Sequence, residues 1–209
     1  MLDRAEKKQR TRENLIAAAL KLSAERSFAA LSLREVAKEA GITPAAFYRH
    51  FHDMDELGLN LIDEVGLGLR QLLRDARQKF GKDQSVVRAS VETFIQYTTE
   101  HANLFRLLQG ERQGSSPAFR KALFVQLGRF IEEVTEDMER SAVRLNQKLR
   151  DPALAAEAII AVAFTVGGEA LDLPKHRRAE LTERVIKEIN IILRGTVIKS
   201  GRRPKRFKA

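Results

Sequence analysis

An all-α fold of about nine helices is predicted for this 209-residue chain, and three observations carry the prediction. Apolar residues recur at spacings of three and four almost throughout, which is the period of one helix face. Breaker and cap residues cut that pattern at Gly41-Ile42-Thr43-Pro44, Gly81-Lys82-Asp83, Gly110 to Pro117, Asp151-Pro152 and Asp172-Leu173-Pro174. No long alternating segment lies between hairpin turns, so strands are not expected.

Three short helices are expected within residues 10–51, the first carrying its apolar face on Leu15, Ala18, Ala19 and Leu22. A fourth runs from about 54 to 79. Five more cover about 84–100, 103–109, 117–147, 152–171 and 177–198, the last with Val185, Ile189, Ile192 and Leu193 on one face. The run Lys199-Ser200-Gly201-Arg202-Arg203-Pro204-Lys205-Arg206 is too charged and too poor in apolar groups to pack, so 199–209 is expected to be a disordered basic tail.

The composition is that of a globular protein, with 44% hydrophobic residues, 31% charged residues and a mean hydropathy of -0.31. No stretch approaches ~18 consecutive apolar residues, so neither a transmembrane helix nor a membrane partner is expected. The charged N-terminus lacks the apolar core of a signal peptide, which makes the cytoplasm the expected location. With no cysteine, the sequence excludes disulfides, thiol nucleophiles and thiolate metal sites. The net charge of +9 is uneven: ten basic against six acidic residues in 1–52, seven against none in 194–209, and a nearly neutral middle. Basic surface of this kind attracts nucleic acid or anionic membrane.

Residues 32–51 give that charge a purpose. Ser32-Leu33-Arg34-Glu35 is a capping box, and Leu33, Val36, Ala37 and Ala40 form the apolar stripe of a short helix that Gly41 ends. Thr43 then caps a second helix with Pro44 at its first position, and Phe47 and Phe51 face inward. Two short helices joined by a tight glycine turn suit the DNA major groove, the second entering by its N-terminal end. Thr43 and Ala45 are small enough for close approach, while Tyr48, Arg49 and His50 carry donors for phosphates or a base edge. Arg34 and Pro44 complete the expected DNA-binding set. On pattern alone, an ordinary helical hairpin remains open.

The run from Leu15 through Ala18-Ala19, Leu22, Phe28, Leu31-Ser32-Leu33-Arg34-Glu35-Val36-Ala37, Ala40-Gly41-Ile42-Thr43 and Phe47-Tyr48-Arg49-His50-Phe51 to Asp55-Glu56-Leu57 resembles the N-terminal domain of TetR-family repressors. The resemblance implies a DNA-binding domain at 1–52, a ligand-binding and dimerisation domain at 53–198, and DNA contacts at Thr43, Ala45, Tyr48 and His50. Met54 departs from the pattern, since many members carry a phosphate-contacting lysine there, and Arg10, Arg12 or Arg34 is the expected substitute. Phe47 to Leu59 and Ala102-Asn103-Leu104-Phe105-Arg106-Leu107-Leu108 with Ser116-Pro117-Ala118-Phe119-Arg120 are also similar to the branch controlling unsaturated fatty acid synthesis, the FabR and DesT type. That likeness implies a fatty acyl-CoA or acyl-carrier-protein effector and no resident cofactor.

For the body, Phe94, Phe105, Leu108, Phe119, Leu123, Phe130 and Phe164 are the candidate lining of an acyl-chain site, and Arg112 a candidate for its head group beside Arg106, Arg120 and Lys121. Plain core packing is the other reading of each phenylalanine. The segment Ala155 to Leu171 is apolar nearly all round and rich in Ala and Gly, so it must be covered on most sides. With the helix at 177–198 it is the expected half of a four-helix homodimer bundle, which would place two recognition helices on a palindromic operator. Gly58, Gly66 and Gly68 weaken the fourth helix unless it bends or admits a close neighbour. No catalytic or metal-binding pattern appears, and no enzyme activity is expected. A regulator sensing another apolar small molecule, such as a drug or metabolite, and a nonspecific architectural DNA-binding protein remain as alternatives.

Overall fold

The computed structural model describes residues 3–24, 26–79, 86–114 and 116–198. The basic tail and the turn at Gly81-Lys82-Asp83 lie outside them. Among the described residues the chain forms nine α-helices, a short 3₁₀ turn and one isolated antiparallel bridge, an all-α fold. Helix α1 (Arg4–Ser23) begins earlier than its apolar pattern suggests. Asp3 and Glu6 form a capping box there: Arg4 N–H donates to Asp3 Oδ1 at 2.5 Å and Asp3 N–H to Glu6 Oε2 at 2.7 Å. The 3₁₀ turn at Phe28–Ala30 leads into α2 (Leu33–Glu39) and α3 (Pro44–Phe47), and both α1 and α3 pack on α2.

Helix α4 (Met54–Lys79) starts where Glu56 N–H donates to Asp53 Oδ1 at 2.8 Å, with Asp55 and Glu56 in the favourable first turn. It runs from the first three helices into the body, packing on α5 (Val86–Glu100) and α7 (Pro117–Arg144). Helix α6 (Ala102–Glu111) crosses to meet α1, while α8 (Pro152–Asp172) lies against α5, α6, α7 and α9 (Lys175–Thr196). By length and composition α8 is apolar enough to cross a membrane, with a mean hydropathy of 1.7, yet four other helices pack on it.

The apolar interior continues across residue 52. A single cluster joins Leu15, Phe28, Val36, Phe47 and Phe51 to Leu57, Leu61, Phe105, Phe119 and Phe164, and a second one joins α5, α8 and α9 through Ile95, Ile159, Val185 and Ile189. Phe119 connects the two halves: its ring lies 4.8 Å from that of Phe28 and directly on Gly58, where an added Cβ would fall 1.8 Å from its Cζ. Gly66 likewise admits the Gln126 side chain, whereas Gly68 has nothing within 4 Å. Two of the three α4 glycines thus serve close packing.

Candidate DNA-reading face and ligand cavity

The turn between α2 and α3 is fixed by its own hydrogen bonds. Ser32 Oγ accepts from Glu35 N–H at 3.3 Å and Ser32 N–H donates to Glu35 Oε2 at 2.9 Å. The Ser32 hydroxyl and the Arg26 guanidinium hold the Glu35 carboxyl down at a pKa of about 2, so it stays ionised throughout the physiological range. Gly41 sits at φ 71°, and Ile42 N–H reaches back to the Ala37 carbonyl at 2.9 Å, a Schellman closure that requires the left-handed residue. Thr43 Oγ1 accepts from Ala46 N–H at 3.2 Å and thereby starts α3.

Regular α3 is shorter than the expected span to Phe51. After Phe47 the chain tightens into turns, with Arg49 N–H on the Ala46 carbonyl at 3.2 Å and His50 N–H on that of Phe47 at 2.8 Å. Phe47 and Phe51 are buried with rings 5.8 Å apart, and anchor the helix from beneath. Arg34, Thr43, Pro44, Ala45, Tyr48 and Arg49 are all exposed, Tyr48 at 63%, while His50 is half-buried. Burial lowers the His50 pKa first, and Lys8, Arg12 and Arg49 lower it further, so its imidazole is neutral at neutral pH.

Arg12, expected as a replacement phosphate contact, is committed elsewhere. Its guanidinium lies 4.5 Å from the Phe51 ring centroid, donates to Asn60 and to the His50 carbonyl, and sits 4.0 Å from Glu64. It ties α1 to the start of α4. Lys8, absent from the expected set, lies close enough to His50 to depress its pKa. The Asp3-x-x-Glu6 capping pattern was the available signal that α1 extends this far.

In the body, residues of α4, α5, α6, α7, α8 and α9 line a cavity of about 430 Å³. Phe94, Phe105, Leu108, Leu123, Phe130 and Phe164 line it, together with Ile62, Leu69 and Leu73 of α4. Two expected lining residues do not. Phe119 is spent on Phe28 and Gly58, and Arg112 lies outside with its guanidinium 5.1 Å from the Phe164 ring centroid. Nor do the other head-group candidates gather at the cavity: Arg106 pairs with Asp172 at 3.2 Å, and Arg120 donates to the Gly114 carbonyl. Periodicity identified the apolar faces, but not which neighbour each one meets. Gly167 makes room for two of the lining rings, since a Cβ there would fall 2.6 Å from the Phe105 ring and 3.0 Å from that of Phe94.

The cations that do touch this region are neutralised. Arg77 Nε lies 2.5 Å from Asp137 Oδ2, and Arg70 Nε 3.4 Å from Glu133, while Gln126 bonds Arg70 on one side and Asp63 on the other. Burial also lowers the Arg70 pKa, with Glu133 opposing that shift. The cavity wall is thus almost wholly apolar in effect.

A capped helix pair exposing small residues and donors, mounted on a helical body with an apolar cavity, has the architecture of a helix-turn-helix unit joined to a larger helical domain. Residues 15–61 match the family described as bacterial regulatory proteins, tetR family. The whole fold is shared with solved structures. It is similar to a putative transcriptional regulator from Pseudomonas aeruginosa (19% identity, TM-score 0.74, covering 92% of each chain). It is similar too to reduced NemR of E. coli (21%, 0.70, 90% of this chain and 98% of that one). A third likeness is to the fatty acid degradation regulator FadR from Bacillus halodurans (17%, 0.69, 88% and 95%).

Proposed function

We propose that the chain is a dimeric, ligand-responsive repressor whose 1–52 unit binds a palindromic operator and whose 53–198 body senses a fatty acyl chain. On this reading the effector is an acyl-CoA or acyl-carrier-protein thioester, and the controlled process is unsaturated fatty acid synthesis. The observation that carries it is α4. One helix has Leu57 and Leu61 buried in the core shared with the DNA-reading unit, and Ile62, Leu69, Leu73 and Arg77 in the cavity wall. A chain entering the cavity therefore presses on the helix that sets the reader's position, and response requires only different ligand affinity in its two positions. The similarity to a fatty acid degradation regulator supports the acyl class.

The dimer reading rests on α8 and α9. Leu154, Ala158, Ala161 and Thr165 form an exposed stripe on α8 at helical spacing, and Ile191 on α9 is 69% exposed. Small residues let a second copy approach closely, and a two-fold pair places two recognition helices about one turn of DNA apart.

Native mass spectrometry of the protein purified from its own cells, paired with operator gel shifts, tests the reading. The expected result is a dimer carrying an acyl thioester, with operator preference of roughly 10³ or more over random DNA. An empty dimer whose operator binding ignores added acyl-CoA would sink the acyl reading, and loss of sequence preference would sink the regulator.

A further inference from the structure

The few polar side chains in the cavity wall gather at one end. Helices α4 and α7 run in the same direction along it, since Gly58 meets Phe119 near their starts and Arg77 meets Asp137 nearer their ends. Toward the DNA-reading unit the lining is Ile62, Phe105, Leu108 and Leu123, all buried in the core that the two halves share. From Ile62 to Arg77 the α4 wall runs about 22 Å at 1.5 Å rise per residue. The far end holds Arg77, Asp137 and Ser141, with Ser90 one turn into α5. Gln147 and Thr196 join them where the Leu149–Val197 bridge ties the segment after α7 to the end of α9. Gln126 stands between the two ends, and its amide is committed to Arg70 and Asp63.

Two properties of this far end decide what it can hold. Its charges are spent. Arg77 is the one cation and Asp137 the one anion among the described lining residues, and they face each other at 2.5 Å. Glu133 lies 3.7 Å from Arg77 as well, and Arg140 donates to Asp137. An entering carboxylate would lie beside two carboxylates with no unpaired guanidinium in the lining to meet it, and a buried ion without a partner is costly. Its neutral groups, in contrast, are not spent. The Ser90 hydroxyl and the Gln147 amide make no hydrogen bond with the described residues, and Ser141 Oγ accepts from Arg144 at 3.0 Å but keeps its own proton to donate. Thr196 alone is committed, donating to the Leu193 carbonyl at 2.6 Å. Hydroxyl and amide donors set in an apolar wall suit an uncharged oxygen.

We propose that the cavity holds its ligand with the apolar chain toward the DNA-reading unit and an uncharged, oxygen-bearing head at Arg77, Ser90, Asp137 and Ser141. The head is a carbonyl or a hydroxyl: a thioester or an alcohol fits, and a free carboxylate is rejected. Asp137 is then a specificity-determining residue, because it is the group that keeps Arg77 from taking an anion. The inference rests on the acyl-chain reading above and goes further by giving the chain a direction and the head a charge state.

Isothermal titration of the full chain at neutral pH with three ligands of one chain length tests it: S-dodecanoyl-N-acetylcysteamine, 1-dodecanol and dodecanoate, each below its solubility and micellar limits. The wild type is expected to bind the thioester and the alcohol roughly ten-fold more tightly than dodecanoate. Asp137→Asn removes the charge, keeps the side chain's size and leaves Arg77 to Glu133 alone. Dodecanoate should then gain roughly ten-fold while the two neutral ligands change little. The double substitution Ser90→Ala, Ser141→Ala should weaken both neutral ligands by roughly five-fold and leave dodecanoate almost as before. Dodecanoate binding the wild type as tightly as the neutral ligands overturns the uncharged head and leaves the acyl cavity standing. A neutral preference that neither variant alters overturns the placement of the head at this end. If none of the three binds, the acyl reading falls and the head site with it.

Discussion

The candidate DNA-reading face and the wall of the cavity treat their positive charges in opposite ways. Within residues 3–51, Arg12, Lys21 and Arg26 are ion-paired, but Lys7, Lys8, Arg10, Arg34, Lys38 and Arg49 make no ion pair with the described residues, and all six are exposed. Beside the cavity, Arg70, Arg74 and Arg77 converge on Glu133, and Arg77 reaches Asp137 as well. The physical difference lies in what each surface must meet. A polyanion is bound by cations that are free to displace counterions. An apolar cavity tolerates a buried guanidinium only when a carboxylate accompanies it. The contrast teaches that net charge says little until each cation's partner is known.

The sharpest way to break the comparison is to ask whether the two regions are independent at all. Phe119→Ala removes a fully buried ring that Phe28 and Gly58 enclose. The expected cost is about 3–5 kcal/mol. Because the apolar cluster is continuous, urea melts followed by a probe in α1–α3 and a probe in α7 should shift together. Separate midpoints would show that the reader folds on its own and that Phe119 does not couple it to the body.

A second experiment sharpens it. Tyr48→Ala and Arg49→Ala alter exposed side chains without burial or ion-pair partners, so each should change stability by no more than about 0.5 kcal/mol. Operator affinity should nonetheless fall by roughly ten-fold for each, and Arg49→Ala should reduce the salt slope by about one. Fluorescence anisotropy across a salt series measures both. Unchanged affinity would move the DNA face away from α3.

Much of this was legible in the residues and some was not, for identifiable reasons. Capping chemistry is local, so Ser32, Glu35, Gly41 and Thr43 each appear in the role their sequence context specifies. The start of α1 was missed because apolar spacing begins only at Leu15, although Asp3 and Glu6 carried the cap signal. Arg12 looked like a phosphate ligand because it is basic and close to the motif. Only the fold brings Asn60 and the Phe51 ring to it. Phe119 and Arg112 were drawn to the cavity by composition, yet a residue's chain position does not say which of several apolar neighbours it will meet. The close packing at Gly58 and Gly66 was anticipated only as an alternative to bending.

The smallest effect concerns His50 and opposes two trends. Its folded pKa lies below the ordinary value because of burial and then Lys8, Arg12 and Arg49. Protonation therefore favours the unfolded chain: this contribution to stability is present above the unfolded pKa and is lost as pH falls below it. His52 runs the other way, because its hydrogen bond to Asp53 raises its pKa, and what it adds is present at low pH and lost as pH rises through that raised value. The two partly cancel in stability but not in DNA binding. A phosphate beside His50 favours the charged imidazole that the three cations resist, so binding DNA takes up a proton. Operator affinity should thus rise by roughly two- to five-fold between pH 7.5 and 6.0, even as His50 makes the fold slightly less stable. His50→Gln should flatten the affinity profile and His52→Gln should not. A profile that remains steep in His50→Gln would place the titrating group elsewhere and take His50 off the DNA face.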